Sequence, residues 1–187
     1  IYRRLENERG IRFMGLAGDE EELNQRNPLF IRSKGIKLAL LNATYGTNMG
    51  LGAHWPKTNY LSARTQLESA LSKAKEADAD VTIAFPHWGT EYVLKHSARQ
   101  EETAIWLAES GADMIIGAHP HVIQDFQMLE TSETNGYKKV PVAYSLGNAV
   151  SNMSAKNTQL ELMATVRIVM HGNGDVEILP LEFTYLW

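Results

Sequence analysis

The amino-acid sequence predicts an α/β fold with a mixed β-sheet, on three observations. Short apolar runs at residues 81–85, 113–117 and 140–144 have the length and composition of buried strands. Residues 62–77 and 100–110 carry apolar side chains at helical spacing, with charges on the opposite face. Two longer apolar stretches, 160–170 and 176–186, flank His171-Gly172-Asn173-Gly174 and read as a terminal hairpin. Alternation of strands with helices favours parallel pairing, while hairpins add antiparallel pairs.

The elements follow in chain order. Ile1-Tyr2-Arg3-Arg4-Leu5-Glu6 reads as the last turns of a helix already under way and stopped by Gly10, so the sequence reads as a piece of a longer protein. Residues 11–16 read as a short strand. Residues 29–32 and 36–41 form a hairpin about Ser33-Lys34-Gly35, with glycine supplying positive φ. Gly46, Gly50 and Gly52 mark a loop running through Trp55-Pro56. The helix at 62–77 turns Leu67, Ala70, Leu71 and Ala74 inward. Pro86 ends the next strand. The helix at 100–110 turns Ala104, Ile105, Leu107 and Ala108 inward and is closed by Gly111. Residues 130–139 form a polar loop.

Composition narrows the chemistry. The 187 residues, 44% of them hydrophobic, can bury one sizeable core. Lysine and arginine number 18 against 22 aspartate and glutamate, a formal net charge of −4, so no basic field exists to hold nucleic acid. The absence of cysteine excludes disulfides, thiolate metal sites and cysteine nucleophiles. No apolar run reaches the roughly 20 residues of a membrane-spanning helix, and no membrane contact is expected from this segment.

In an open α/β sheet, ligands bind beyond the carboxyl ends of the strands. Three polar clusters fall there: His87-Trp88-Gly89-Thr90-Glu91-Tyr92, His119-Pro120-His121 and Ser145-Leu146-Gly147-Asn148. Residues two apart in extended backbone point the same way, and Pro120 biases His119 toward extended geometry. Both imidazoles can then face one ion, with His87 as a third ligand from a neighbouring strand. Imidazoles with carboxylates suit Zn, Mn, Fe or Ni better than Ca or Mg. The competing reading of the histidine pair is a hydrogen-bonded loop. Glu91 reads as a catalytic group, a metal ligand, a partner orienting His87, or a surface charge. Trp88, Gly89, Tyr92 and Asn148 are candidate substrate contacts, although large aromatics after a strand also serve packing. Residues 145–148 either offer amides to an anion or make a tight turn. His54, His96 and His171 read as solvated loop residues. Ser145 has no His–Asp relay beside it in sequence, which leaves a serine hydrolase poorly supported.

These motifs, extended to 111–124 and to Tyr144-Ser145-Leu146-Gly147-Asn148, resemble the bacterial CapA family in order and spacing. That is the family of capsule, or poly-γ-glutamate, synthesis proteins, itself similar to calcineurin-like metallophosphoesterases. The resemblance runs from residue 1 almost to the C-terminus. It implies a metallophosphatase-like fold of mixed β-sheets flanked by helices, a four-layer α/β/β/α sandwich when complete. Residues 1–187 would be the C-terminal part of that single domain, lacking its first strands. By motif position the resemblance also implies His87, His119 and His121 as ligands of a divalent ion such as Mn, Zn or Fe.

This chain departs from the family pattern at several places. The family usually has histidine where Ala118 stands and an aromatic residue where Ala149 stands. Its early Gly-Asp, Asn-Glu and Asn-Asn-His motifs have no counterpart, since Gly18-Asp19 runs into Glu20-Glu21-Glu22. The implied site is therefore incomplete, with no two-metal centre, and the sheet is expected to expose apolar edges.

The resemblance implies a role in making or exporting an anionic cell-surface polymer. Its alternatives are a metal-dependent phosphoester hydrolase unrelated to polymers and a non-catalytic scaffold. Expected partners are the N-terminal half of the same protein, polymer synthase subunits, the anionic polymer and a second copy of the chain. The expected location is the extracytoplasmic face of the bacterial envelope.

Overall fold

The computed structural model describes residues 2–48, 54–132 and 137–186. The expected loop glycines Gly50 and Gly52 lie outside the described residues. Helix α1 (Tyr2–Arg9) ends at Gly10, whose N–H donates to the Glu6 carbonyl at 2.9 Å. The strand expected at 11–16 shrinks to β1 (Leu16–Ala17), which pairs antiparallel with β4 (Lys57–Thr58). Ile11 has no neighbouring strand to cover it among the described residues and is 53% exposed.

Helix α2 (Glu20–Arg26) is capped by Asp19, whose carboxylate accepts the Glu22 N–H at 2.8 Å. Its seven residues bury nothing, so apolar periodicity gives no sign of it. Arg26 joins it to α1 through Glu6 at 2.6 Å, and pairs with Glu22 at 3.0 Å.

The main sheet is built from β2 (Leu29–Ser33), β3 (Ile36–Thr44), β5 (Val81–His87), β6 (Met114–Ile116), β7 (Phe126–Glu130) and β8 (Lys139–Ala143). Its strand order is β2-β3-β5-β6-β8-β7. The four inner strands run parallel, while β2 and β7 are antiparallel edges. The β2–β3 turn places Lys34 and Gly35 at φ 50° and 90°. Strand β7 interrupts what the sequence presents as a passage between two apolar runs. Only Leu129 in it is buried, because β7 is an edge strand.

Helices α3 (Arg64–Glu76) and α4 (Ala98–Glu109) cover one face of this sheet. Leu67, Leu71 and Leu107 meet Ile115, Val142 and Tyr144 in the larger core. Ile105, expected inward, is 45% exposed because the buried stripe of α4 runs through Gln100, Ala104, Leu107 and Ala108.

The opposite face carries Val81, Ile83 and Met114 and packs against Val166, Ile168 and Val176 of the C-terminal ribbon. That ribbon is broken where two long strands were expected. β9 (Glu161–Thr165) pairs with β12 (Glu182–Leu186), and β10 (Ile168–Met170) pairs with β11 (Val176–Ile178). The two registers differ by one residue, the signature of a bulge-like interruption. The result is helices, a mixed sheet and a second strand layer. No helix among the described residues is long and apolar enough to cross a membrane.

Candidate metal centre

The site grows from the carboxyl ends of β5 and β6. Beyond the regular ladder, Ala118 bridges to His87: its N–H donates to the Pro86 carbonyl and its own carbonyl accepts from Trp88 N–H, both at 3.0 Å. This brings the His87 and His119 rings to a centroid separation of 4.6 Å.

The backbone then leaves extended geometry. His119 has φ 108° and His121 has φ 59°, so the expected extended pair is overturned. A sharp turn presents the two imidazoles, with centroids 6.0 Å apart. Such conformations cost non-glycine residues on the order of 1–3 kcal/mol each and persist only where surroundings enforce them. Here the Tyr92 N–H grips the Pro120 carbonyl at 2.8 Å, and Ile123 bridges to Leu146.

The same grip delivers Glu91. Its Oε1 lies 4.0 Å from His121 Nε2. A buried amide relay holds the segment that follows Glu91. Gln100 Nε2 donates to Gln124 Oε1, and Gln124 Nε2 donates to the Val93 carbonyl, both at 2.8 Å. Gly89, at φ 90°, admits this packing because a Cβ there would meet the Gln100 side chain at 2.8 Å.

Glu91, His119 and His121 offer donor atoms that all lie within 4.8 Å of one another. Tetrahedral ligands at zinc-like distances sit about 3.4 Å apart, so the exposed Glu91, 4.0 Å from His121, must close by roughly half an ångström. His87 stands outside this three-donor group, one ring away beside His119.

Protonation favours ligation. Desolvation and the neighbouring His119 and His121 hold the His87 pKa below the ordinary imidazole value. Desolvation also lowers His119, against an opposing pull from Glu91. Neutral imidazoles are the form a metal takes. Asn148 Oδ1 accepts from His121 Nδ1 at 2.7 Å, while its Nδ2 donates to the Thr158 carbonyl at 3.0 Å. The Nε2 lone pair of His121 is thereby left facing Glu91. The donor set fits a divalent ion.

A family model for the bacterial capsule synthesis protein PGA_cap matches residues 3–153, a stretch containing every one of these side chains. The chain belongs to the PGA_cap family.

Among curated relatives, the PGA_cap chain is 31% identical over 161 residues to the capsule biosynthesis protein CapA of Bacillus anthracis, covering 84% of this chain and 37% of that protein. It is 26% identical over 148 residues to the PGA biosynthesis protein CapA of Bacillus subtilis (strain 168), covering 79% and 37%. The chain thus spans little more than a third of the length of these relatives. Among solved structures, the NAD nucleotidase NadN of Haemophilus influenzae superposes with a TM-score of 0.54 at 10% identity, over 89% of this chain and 29% of that one. A 5'-nucleotidase precursor from Thermus thermophilus gives 0.53 at 11%, over 95% and 34%. At such identities the likeness concerns the fold, which is metallophosphatase-like.

Around this candidate site the other sequence candidates take distinct places. Trp88 is 2% exposed, donates its indole N–H to the Tyr144 carbonyl at 2.9 Å and stacks on Tyr144. Tyr92 stacks on His121 at 6.2 Å, and its pKa is raised by desolvation and by Glu91. Gly147 sits at φ 83° in a tight turn.

His96 is not the solvated loop residue its lone position suggests. It stacks on Tyr144 at 3.8 Å, bonds Asp125 Oδ2 at 2.7 Å and has a side chain only 12% exposed. His54 and His171 are exposed as expected. Tyr45, which stacks parallel to His87 and lies 4.7 Å from the His119 ring, escaped sequence reading altogether. Its position just past β3, another strand ending on the same edge, was the available signal.

Proposed function

We infer that this chain supplies one divalent-ion site to a bacterial capsule synthesis protein acting on an anionic cell-surface polymer. The observation that carries the reading is the convergence of Glu91, His119 and His121 at the strand ends. Family membership and the capsule and PGA biosynthesis relatives support the polymer context. His119 and His121 would hold the ion as neutral imidazoles, Asn148 would fix the His121 tautomer, and Glu91 would offset part of the positive charge. His87, whose ring lies 4.6 Å from that of His119, would be the neighbouring group to accept or return a proton. A divalent ion so held supplies Lewis acidity and lowers the pKa of bound water, which is the chemistry of hydrolysis at a phosphoester or related anionic bond.

The complete protein would carry this site at the outer face of the bacterial envelope, with its remaining sequence and polymer synthase subunits as partners. Native mass spectrometry of the chain with Mn, Zn or Fe tests the reading. One ion per chain, lost in His119→Ala and in His121→Ala, is the expected result. A chain that takes up no ion under any of these conditions contradicts it. Turnover of a chromogenic phosphodiester by the complete protein, abolished by chelator, would extend the site from binding to catalysis.

A further inference from the structure

Beside the imidazoles lies a cavity of about 470 Å³, lined in part by Tyr45, Arg64, Trp88, Gly89, Ser97 and Arg99. Tyr45 is the shared wall: it lines this cavity and also stacks on His87 and contacts the His119 ring. The cavity is bounded by the starts of two helices, since Arg64 opens α3 and Arg99 lies in the first turn of α4.

Neither arginine has a carboxylate partner among the described residues. Arg64 rests over the Trp106 ring at 4.8 Å, and Arg99 has no side-chain partner there. Arg26 pairs with Glu6 and Arg167 with Glu182, whereas Arg9, Arg12 and Arg32, like the two cavity arginines, have no carboxylate partner among the described residues. Two unpaired guanidiniums on one cavity wall, faced by a single acid in Glu102, make a local positive field in a chain of net charge −4. The N-cap of α3, Ala63, offers no side-chain acceptor, so the positive end of that helix dipole adds to the field.

We propose that this cavity is an anion subsite, in which Arg64 and Arg99 hold a carboxylate or phosphate group of a ligand whose adjoining bond lies at the Glu91–His119–His121 centre. The placement of the bond rests on the metal-centre reading above; the anion subsite itself does not. Guanidinium forks match the planar oxygens of carboxylates and phosphates in two-point contacts. A volume of about 470 Å³ is far larger than one inorganic anion and falls in the range of sites for organic ligands. The exposed Tyr45 ring gives the apolar part of such a ligand a surface to lie on.

Isothermal titration of the 187-residue chain, with and without Mn or Zn, tests this against two probes, tetra-γ-glutamate and inorganic pyrophosphate. Arg64→Gln and Arg99→Gln are each expected to weaken binding by about tenfold or more. Ion content by native mass spectrometry should stay unchanged, and Lys75→Gln, at the far end of α3, should bind as the parent does. Binding should also fall at high salt. Arginine-dependent binding of the glutamate oligomer alone assigns a carboxylate source, and of pyrophosphate alone a phosphate source.

Binding of neither probe, or parent affinity for both in the double arginine variant, overturns the subsite. A chain that binds a probe through both arginines but takes up no ion overturns the metal-centre reading and leaves the subsite standing.

Discussion

Asn148 and His121 meet through a 2.7 Å contact between Oδ1 and Nδ1, and this bond decides which nitrogen of His121 faces Glu91. The amide is held the right way round because its Nδ2 has carbonyl acceptors in Thr158 and His121. One side chain thus ties the turn after β8 to the turn after β6.

Removing that tie is expected to loosen the ion without unfolding the chain. Asn148→Ala should weaken ion affinity about 10- to 100-fold, the usual effect of losing a residue that orients a ligand. Asn148→Asp keeps the acceptor but sets a second oxygen against the Thr158 and His121 carbonyls, so it should recover only part of the loss. Chelator competition measures both, and equal affinities in all three proteins would count against the role.

The amide relay beneath the Glu91 segment should behave as structure. Gln124 is 6% exposed and serves both Gln100 and the Val93 carbonyl. Gln124→Leu strands those groups, at a cost of about 1–3 kcal/mol. For a chain of this size, a Tm lower by about 2–4 °C per kcal/mol is the expected reading. An unchanged Tm would show that the relay contributes nothing net.

Gly147 has no room for a side chain. At φ 83°, an added Cβ would lie 2.4 Å from the Leu160 carbonyl oxygen, a backbone atom that cannot swing aside. Gly147→Ala should lower the unfolding free energy measured in urea by more than the few tenths of a kcal/mol typical of an exposed substitution. Because the turn also carries Asn148, ion affinity should fall with it.

Acid should loosen the N-terminal helices. The Gly18 N–H and Arg3 hold the Glu22 carboxyl below its usual pKa, with Arg26 adding to the effect against desolvation. A depressed carboxyl stabilises the fold fully above its unfolded value of about 4.3 and loses that contribution as pH falls through its folded value. Wild type should therefore exceed Glu22→Gln in stability at neutral pH, and the gap should close on acidification. Urea titrations of both proteins at several pH values give the comparison, and a gap independent of pH would refute the linkage.

Sequence reading recovered those parts of the fold that depend on burial, and missed those that depend on partners. The inner strands β3, β5, β6 and β8 announce themselves because both their faces are covered. Edge strand β7 and the surface helix α2 do not, since Leu129 is the sole buried residue of the one and the other buries none. That the rings of His87, His119 and His121 gather at one edge was legible from their places after strands. The role of Asn148 was not, because its hydrogen bond spans 27 residues. Nor was the left-handed backbone of the His-Pro-His turn, which is imposed by the grip of Tyr92 on Pro120.

That turn places the two imidazoles where folding alone would prefer glycine or asparagine. If the turn holds an ion as proposed, heat resistance and ion binding would pull its composition in opposite directions. A library of this protein screened only for survival at high temperature should enrich smaller residues at position 119, trading an imidazole for a relaxed backbone. Screening for retained ion would restore it. Histidine at position 119 in a thermostabilised descendant would then record selection for chemistry, independent of any assay for the reaction.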